Sequence, residues 1–141
     1  MDVNNVAAVV TGGASGLGGA TARALADAGA KVAVLDVNGD GAKAMAKDIG
    51  GLAFECDVTD PGTVEAALVQ VKEGIGVPRI VINCAGIGVA ERIVGRAGPM
   101  PLENFARVIN INLIGTFNVL RLAAAEMSKL DELDEGERGV I

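Results

Sequence analysis

The chain has 141 residues, 50% of them hydrophobic and 21% charged, the size and apolar content of a single folded domain; a disordered chain is excluded. Its 20 glycines, about twice the usual share of ~7%, cluster instead of recurring every third residue, which rules out collagen and flexible linkers. Twelve basic against eighteen acidic residues leave a net charge of −6, and an acidic surface without a basic stripe repels nucleic-acid backbones.

Short apolar runs alternate with helical patterns, the signature of βαβ units and a parallel sheet. The first predicted strand is Val6–Thr11, too apolar for a sheet with one wet face. Gly12 and Gly13 break it, and a helix follows from about Gly16 to Ala28, with Leu17, Ala20, Ala24, Leu25 and Ala28 on one face. Lys31–Asp36 reads as strand two, Gly39–Ile49 as an alanine-rich helix stopped by Gly50 and Gly51, and Leu52–Cys56 as strand three. Thr59 or Asp60 caps a third helix, Pro61 is tolerated in its first turn, and Val64, Ala67, Leu68 and Val71 form its inner stripe. Arg79–Cys84 reads as strand four, and residues 85–101, with four glycines and two prolines, as a long loop of the functional or mobile kind.

A long helix from about Leu102 to Leu130 carries Phe105, Ile109, Leu113, Phe117, Leu120, Ala124 and Met127 along one stripe. Val108, Ile111, Val119 and Leu122 widen it beyond one packed face, so self-association into a homo-oligomer, or further chain, is expected to cover the other side. Gly139-Val140-Ile141 reads as the opening of a fifth strand. The expected fold is therefore a Rossmann-type doubly wound parallel α/β sheet of order 3-2-1-4, incomplete, with strand four left as an edge. A domain that ends on the first residues of a core strand reads as a fragment.

The acidic run at 131–138, five acids against Arg138, reads as a solvated loop. No Lys or Arg precedes Arg23, and uninterrupted apolar runs fall short of the ~20 residues of a membrane span, so a soluble cytoplasmic protein without a membrane partner is expected. Cys56 and Cys84 would lie on strands three positions apart, ~14 Å at ~4.8 Å per strand, beyond the ~7 Å limit for bridged Cα atoms. Both read as small buried thiols, and with no His in the chain no metal site is expected.

Between the first strand and helix runs Thr11-Gly12-Gly13-Ala14-Ser15-Gly16-Leu17-Gly18. The spacing is not GxGxxG, but the physics is shared: a sharp turn, close backbone approach to a pyrophosphate, and a helix head offering unpaired N–H groups. Asp36, eighteen residues after Gly18, ends strand two. A carboxylate there accepts hydrogen bonds from both ribose hydroxyls of an adenosine and repels a 2′-phosphate. Neither Ser15 nor Val37-Asn38 supplies a cation to hold such a phosphate, so NAD is expected over NADP. A nucleotide methyl donor is the rival ligand, since methyltransferases also place a glycine loop after strand one and an acid after strand two.

Four segments together, Thr11–Gly18, Asp57-Val58, Asn83-Cys84-Ala85-Gly86 and Asn110-Ile111-Asn112-Leu113-Ile114-Gly115-Thr116, resemble the short-chain dehydrogenase/reductase family in order and spacing, from Val6 to Ile141. The resemblance implies that Gly12, Ser15, Gly16, Leu17, Gly18 and Asp36 contact the cofactor. It implies that Asp57 and Val58 hold the adenine ring, with Asp57 as a cap for the next helix the alternative. It places Asn83, Ala85 and Gly86 beside the ribose, where a purely structural turn is the alternative. Asn112 matches the helix asparagine of the family's catalytic set, which helps hold a water in a proton relay; as a buried polar residue it could instead satisfy a local backbone group. Ile82–Ile87, Leu102–Val108, Leu113–Leu122 and Glu137–Ile141 look like the type 2 3-hydroxyacyl-CoA dehydrogenase branch. That implies NAD-linked interconversion of a 3-hydroxyacyl-CoA, the small-molecule substrate, with its 3-ketoacyl form, beside a loop at 88–101.

The sequence departs from the family at its end. The family's catalytic Ser and Tyr-x-x-x-Lys follow the fifth strand, where this sequence stops. Hydride transfer to a ketone develops an alkoxide that needs a proton donor of matched pKa. The chain contains no Tyr and no His, and Asn112 cannot donate an acidic proton. Residues 1–141 are thus expected to be an NAD-binding domain, inactive alone, of an oxidoreductase. A non-catalytic dinucleotide-binding module and a methyltransferase-like domain are the alternatives.

Overall fold

Four parallel strands, β1 (Ala7–Thr11), β2 (Lys31–Asp36), β3 (Leu52–Glu55) and β4 (Ile80–Asn83), lie in the order β3-β2-β1-β4. The computed structural model describes residues 1–96 and 98–141. Successive residues of a strand face opposite sides, and here both sides are apolar. Val10, Val34 and Ile80 pack against α1 (Gly16–Asp27) and α2 (Gly39–Ile49) through Ala22, Ala42 and Met45. Val9, Leu35 and Val81 pack against α3 (Pro61–Ile75) and the C-terminal helix through Val64, Val71 and Val119. This is the expected doubly wound Rossmann-type arrangement. Its strand order reverses between β1 and β4, the point where open α/β sheets leave a crevice.

Asn38 caps α2 by accepting from the Gly41 amide at 3.0 Å, and Asp60 rather than Thr59 caps α3 by accepting from the Gly62 amide at 2.8 Å. The inner face of α1 differs from the periodicity. Gly18, Gly19 and Ala22 are buried, with Leu25 and Ala26 beside them, whereas Leu17, Ala20, Ala24 and Ala28 are exposed. Close approach decides the face, since a Cβ on Gly19 would lie 2.8 Å from the Met45 Cε.

The last helix runs as α4 (Leu102–Ile109), a π-helical segment (Asn110–Gly115) and α5 (Thr116–Met127). Ile111, Val119 and Leu122 of the widening set pack with the sheet and α3, joined by Ala123 and by Met127 from the end of the first stripe. The stripe containing Phe105, Leu113 and Phe117 faces outward, with Phe117 62% exposed. Helical spacing alone could not choose between them. Gly115 does, because a Cβ there would lie 2.6 Å from the Val58 Cγ2, so this face lies against Val58. At 26 residues the helix is long and apolar enough to cross a membrane, which the short uninterrupted runs concealed. It shares one buried core with α3 and the sheet through Val119, Ala123 and Met127, which makes it a packed helix of the domain.

The loop at 85–101 is not wholly irregular: β5 (Val94–Gly95) and β6 (Gly98–Pro99) pair antiparallel, and Asn104 donates to Glu91 at 2.7 Å. Ala97, in the same loop, lies outside the described residues. The acidic run folds back on Arg79, whose guanidinium donates to the carbonyls of Asp131 and Arg138 at 3.1 and 2.8 Å. Val140 then bridges Ile80 in parallel, opening a strand beside β4 as its sequence suggests. Cys56 follows β3 and Cys84 follows β4 at opposite edges of the sheet, and both are free; Cys84 is half-buried, not buried.

Glu126 ties α5 to α3, accepting from Lys72 at 2.9 Å and also from Lys129. These two lysines, Lys129 foremost, hold its carboxyl at about 2, below the ordinary 4.5. A depressed folded-state pKa contributes stability that is complete above pH 4.5 and lost as pH falls toward 2. In an NMR titration the Glu126 carboxyl is expected to show a midpoint near 2, returning toward 4.5 when Lys72 and Lys129 are both changed to Met. A wild-type midpoint already near 4.5 would mean that the bridge does not form in solution.

Candidate functional site

The crevice at the carboxyl ends of the strands is a groove of about 670 Å³, within the ~300–1,000 Å³ of small-molecule sites. Its floor is the junction of β1 and β4. The buried Thr11 accepts from the Cys84 amide through its carbonyl and from the Ala85 amide through its Oγ1, both at 3.2 Å. Gly12 follows at φ +62°, and a Cβ there would lie 2.7 Å from the Ala85 nitrogen and 2.8 Å from the Cys84 carbonyl carbon. Only glycine permits that approach, and the buried Thr11, the first residue of the loop motif, ties the two strand ends together from beneath.

Ser15, Gly16, Leu17 and Gly18 open α1 onto the groove. Ser15 occupies the N-cap but makes no side-chain cap, in contrast to Asn38 and Asp60 at the heads of α2 and α3, and no acid stands in the first turn. The first amides of α1 therefore keep free donors and partial positive charge where the groove passes. Leu17 is 84% exposed, a cost in water that suits a residue lining a binding surface.

Asp36 stands beside this head. Its Oδ2 accepts from the Ala14 amide at 3.0 Å and its Oδ1 from the Asn38 amide at 2.9 Å. An ionised carboxylate has about four acceptor sites, so two remain for a ligand. Asp57 lines the next stretch, where its Oδ1 accepts from the Thr59 amide and hydroxyl at 2.9 and 2.8 Å in a turn that precedes the α3 cap. Val58 lies beside it, held by Asn118, whose Nδ2 donates to the Val58 carbonyl at 2.9 Å. Asn118, not Asn112, is the buried asparagine of the long helix. Ala85 and Gly86 complete the β4 side.

Two proposed residues lie elsewhere. Asn83 is the last residue of β4, still inside the sheet and off the groove lining; its Oδ1 is buried without a hydrogen-bond partner among the described residues. The chain turns toward the groove only past that strand end, at Cys84. Asn112 is exposed and also off the lining. Its Oδ1 accepts from the Ile87 amide at 2.9 Å and its Nδ2 donates to the Ile87 carbonyl at 2.8 Å. It acts on the groove by clamping the loop after β4, from within the π-helical segment, a geometry that recurs at functional sites. Arg107, Ile111, Ile87, Val37 and Cys56 also line the groove and were not anticipated, while Cys84 lines it within the segment that the family resemblance places beside the cofactor. Burial pushes the Cys56 thiol up, which keeps it protonated at neutral pH.

Residues 6–141 match the family model described as short chain dehydrogenase. The chain belongs to the short-chain dehydrogenase family. It is 45% identical to 3-hydroxyacyl-CoA dehydrogenase type-2 of Bos taurus and 43% identical to that of Homo sapiens, over 99% of this chain and 55% of each relative. A solved structure of 3-hydroxyacyl-CoA dehydrogenase type-2 from Mycobacterium avium gives a TM-score of 0.88 at 37% identity, covering 96% of this chain and 54% of that one. The chain thus spans about half the length of the dehydrogenases it matches. Membership of this family removes the methyltransferase-like alternative.

The floor and the helix head of this short-chain dehydrogenase chain separate in mutagenesis. Gly12→Ala is expected to lower stability by about 2 kcal/mol or more, since its Cβ meets backbone and its φ is positive. Gly16→Ala, at φ +55° with nothing within 4 Å of its Cβ, is expected to cost about 1 kcal/mol. Equal urea midpoints for the two variants would show that Gly12 and Ala85 do not approach as described.

Proposed function

We propose that the groove binds NAD and that residues 1–141 form the dinucleotide-binding domain of an oxidoreductase interconverting 3-hydroxyacyl-CoA and 3-ketoacyl-CoA. The observation that carries this reading is the convergence of the uncapped α1 head, the Asp36 carboxylate and Asp57-Val58 on one groove. The α1 amides suit a diphosphate, the spare lone pairs of Asp36 suit the two ribose hydroxyls, and Asp57 suits the exocyclic amine of adenine. A 2′-phosphate would meet the Asp36 charge. Bound nicotinamide supplies hydride transfer. The small Ala85 and Gly86 would leave room for a ribose, and Asn112 holds that loop in place while keeping one donor and one acceptor site for a water.

Among the described residues the groove offers two carboxylates, two thiols, the Ser15 hydroxyl and an arginine, and none is the tyrosine that the family resemblance assigns as proton donor; the chain has no Tyr or His. Binding without turnover is the expected behaviour of the 141 residues, in keeping with the tyrosine-based chemistry that the family resemblance implies. The outward stripe of Phe105, Leu113 and Phe117 is read as the face a second copy covers, and a strictly monomeric chain in sedimentation would remove that reading.

Titration separates these statements. The chain is expected to bind NADH more tightly than NADPH and not to bind S-adenosylmethionine. Asp36→Asn is expected to narrow the NADH preference by about tenfold or more, from the ~1.5–3 kcal/mol of a hydrogen bond to a charged group. NAD-dependent turnover of a 3-hydroxyacyl-CoA by the 141-residue chain, above a mock preparation, would contradict the assigned division of labour.

A further inference from the structure

Among the described residues, three charged side chains line the groove: Asp36, Asp57 and Arg107. Both acids are anchored by bonds to their own neighbourhood. Arg107 is different. It stands in the last turn of α4, and its guanidinium enters no hydrogen bond or ion pair with the described residues, although Glu103 lies one turn before it. An exposed pair at that spacing is worth only ~0.3–0.5 kcal/mol, too little to hold the side chain on the outer surface.

Its position follows from the packed face of the helix. Asn118 and Gly115 of that face touch Val58, and Ile111, a turn earlier, lines the groove. Arg107 precedes Ile111 by four residues, about one further turn of ~5.4 Å along the axis. It therefore continues, past Ile111, the wall that rises from Asp57-Val58.

We propose that Arg107 determines affinity for the adenosine half of the ligand by laying its guanidinium against the open face of the base. The inference rests on the dinucleotide reading above. A planar, weakly hydrated guanidinium is suited to a π face, and arginine contributes in this way to base stacking elsewhere. With Val58 and Ile111 supplying apolar contact and Asp57 the edge, Arg107 closes the remaining side. Asp36 takes its bonds from the Ala14 and Asn38 amides and forms no ion pair with Arg107 among the described residues.

The test titrates the 141-residue chain with NADH by fluorescence and with adenosine, which has no phosphate, by ligand-observed NMR. Arg107→Ala is expected to weaken both by a similar factor, between about twofold and thirtyfold, with Arg107→Lys intermediate. The urea midpoint is expected to stay unchanged, because the residue is exposed and unpaired. Weaker NADH with unaltered adenosine would assign Arg107 to the phosphates and overturn the proposal, as would no change in either ligand. A wild-type chain that binds no NADH overturns this inference together with the reading beneath it. An effectless Arg107→Ala beside a binding wild type overturns the inference alone.

Discussion

The approach of Gly12 to the backbone of Cys84 and Ala85 is the constraint from which the site follows. β1 and β4 are neighbours in register, and their exits must diverge to leave a crevice while staying close enough to share a floor. Thr11 joins them through its carbonyl and hydroxyl, and the missing Cβ of the next residue lets the two turns touch. The chain then has only three residues in which to turn into α1. The helix therefore starts over the crevice with its amides exposed, and Asp36 steadies the turn through Ala14.

The opposite wall is organised by two asparagines of one helix. Asn118 holds the Val58 carbonyl and Asn112 holds both backbone groups of Ile87, so one element positions segments that follow β3 and β4. The π-helical turn between α4 and α5 changes which residues face the sheet, and it brings Asn112 over the loop while Gly115 rests on Val58. A side chain larger than glycine at 115 would lift the helix from that wall.

Alternation of apolar runs with helical patterns made the four strands, their order and the first three helices legible, because burial on both faces leaves a plain hydrophobic signature. The glycine loop and Asp36 were legible for the same kind of reason, since turn geometry and charge are local properties, whereas Asp57 was placed only through the family resemblance. What escaped depended on distant contacts. The packed faces of α1 and of the long helix are set by Gly19 against Met45 and by Gly115 against Val58, and glycine has no hydrophobic signal to read. Asn83 and Asn112 share a motif with groove residues, but the strand end leaves the first inside the sheet and the helix commits the second to Ile87. Arg107 had one available sign, its spacing of four residues from Ile111 beside the Asn110–Thr116 motif.

The two thiols of the groove are unequal. Cys56 is buried against α3, whereas Cys84 is half open at the seam of β1 and β4. The chain also lacks Trp and Tyr, so its own emission is nearly dark. A small environment-sensitive dye placed at 84 would thus report from beside the floor against almost no background, turning the unequal access of two sulfurs into a built-in optical gauge of what enters the crevice.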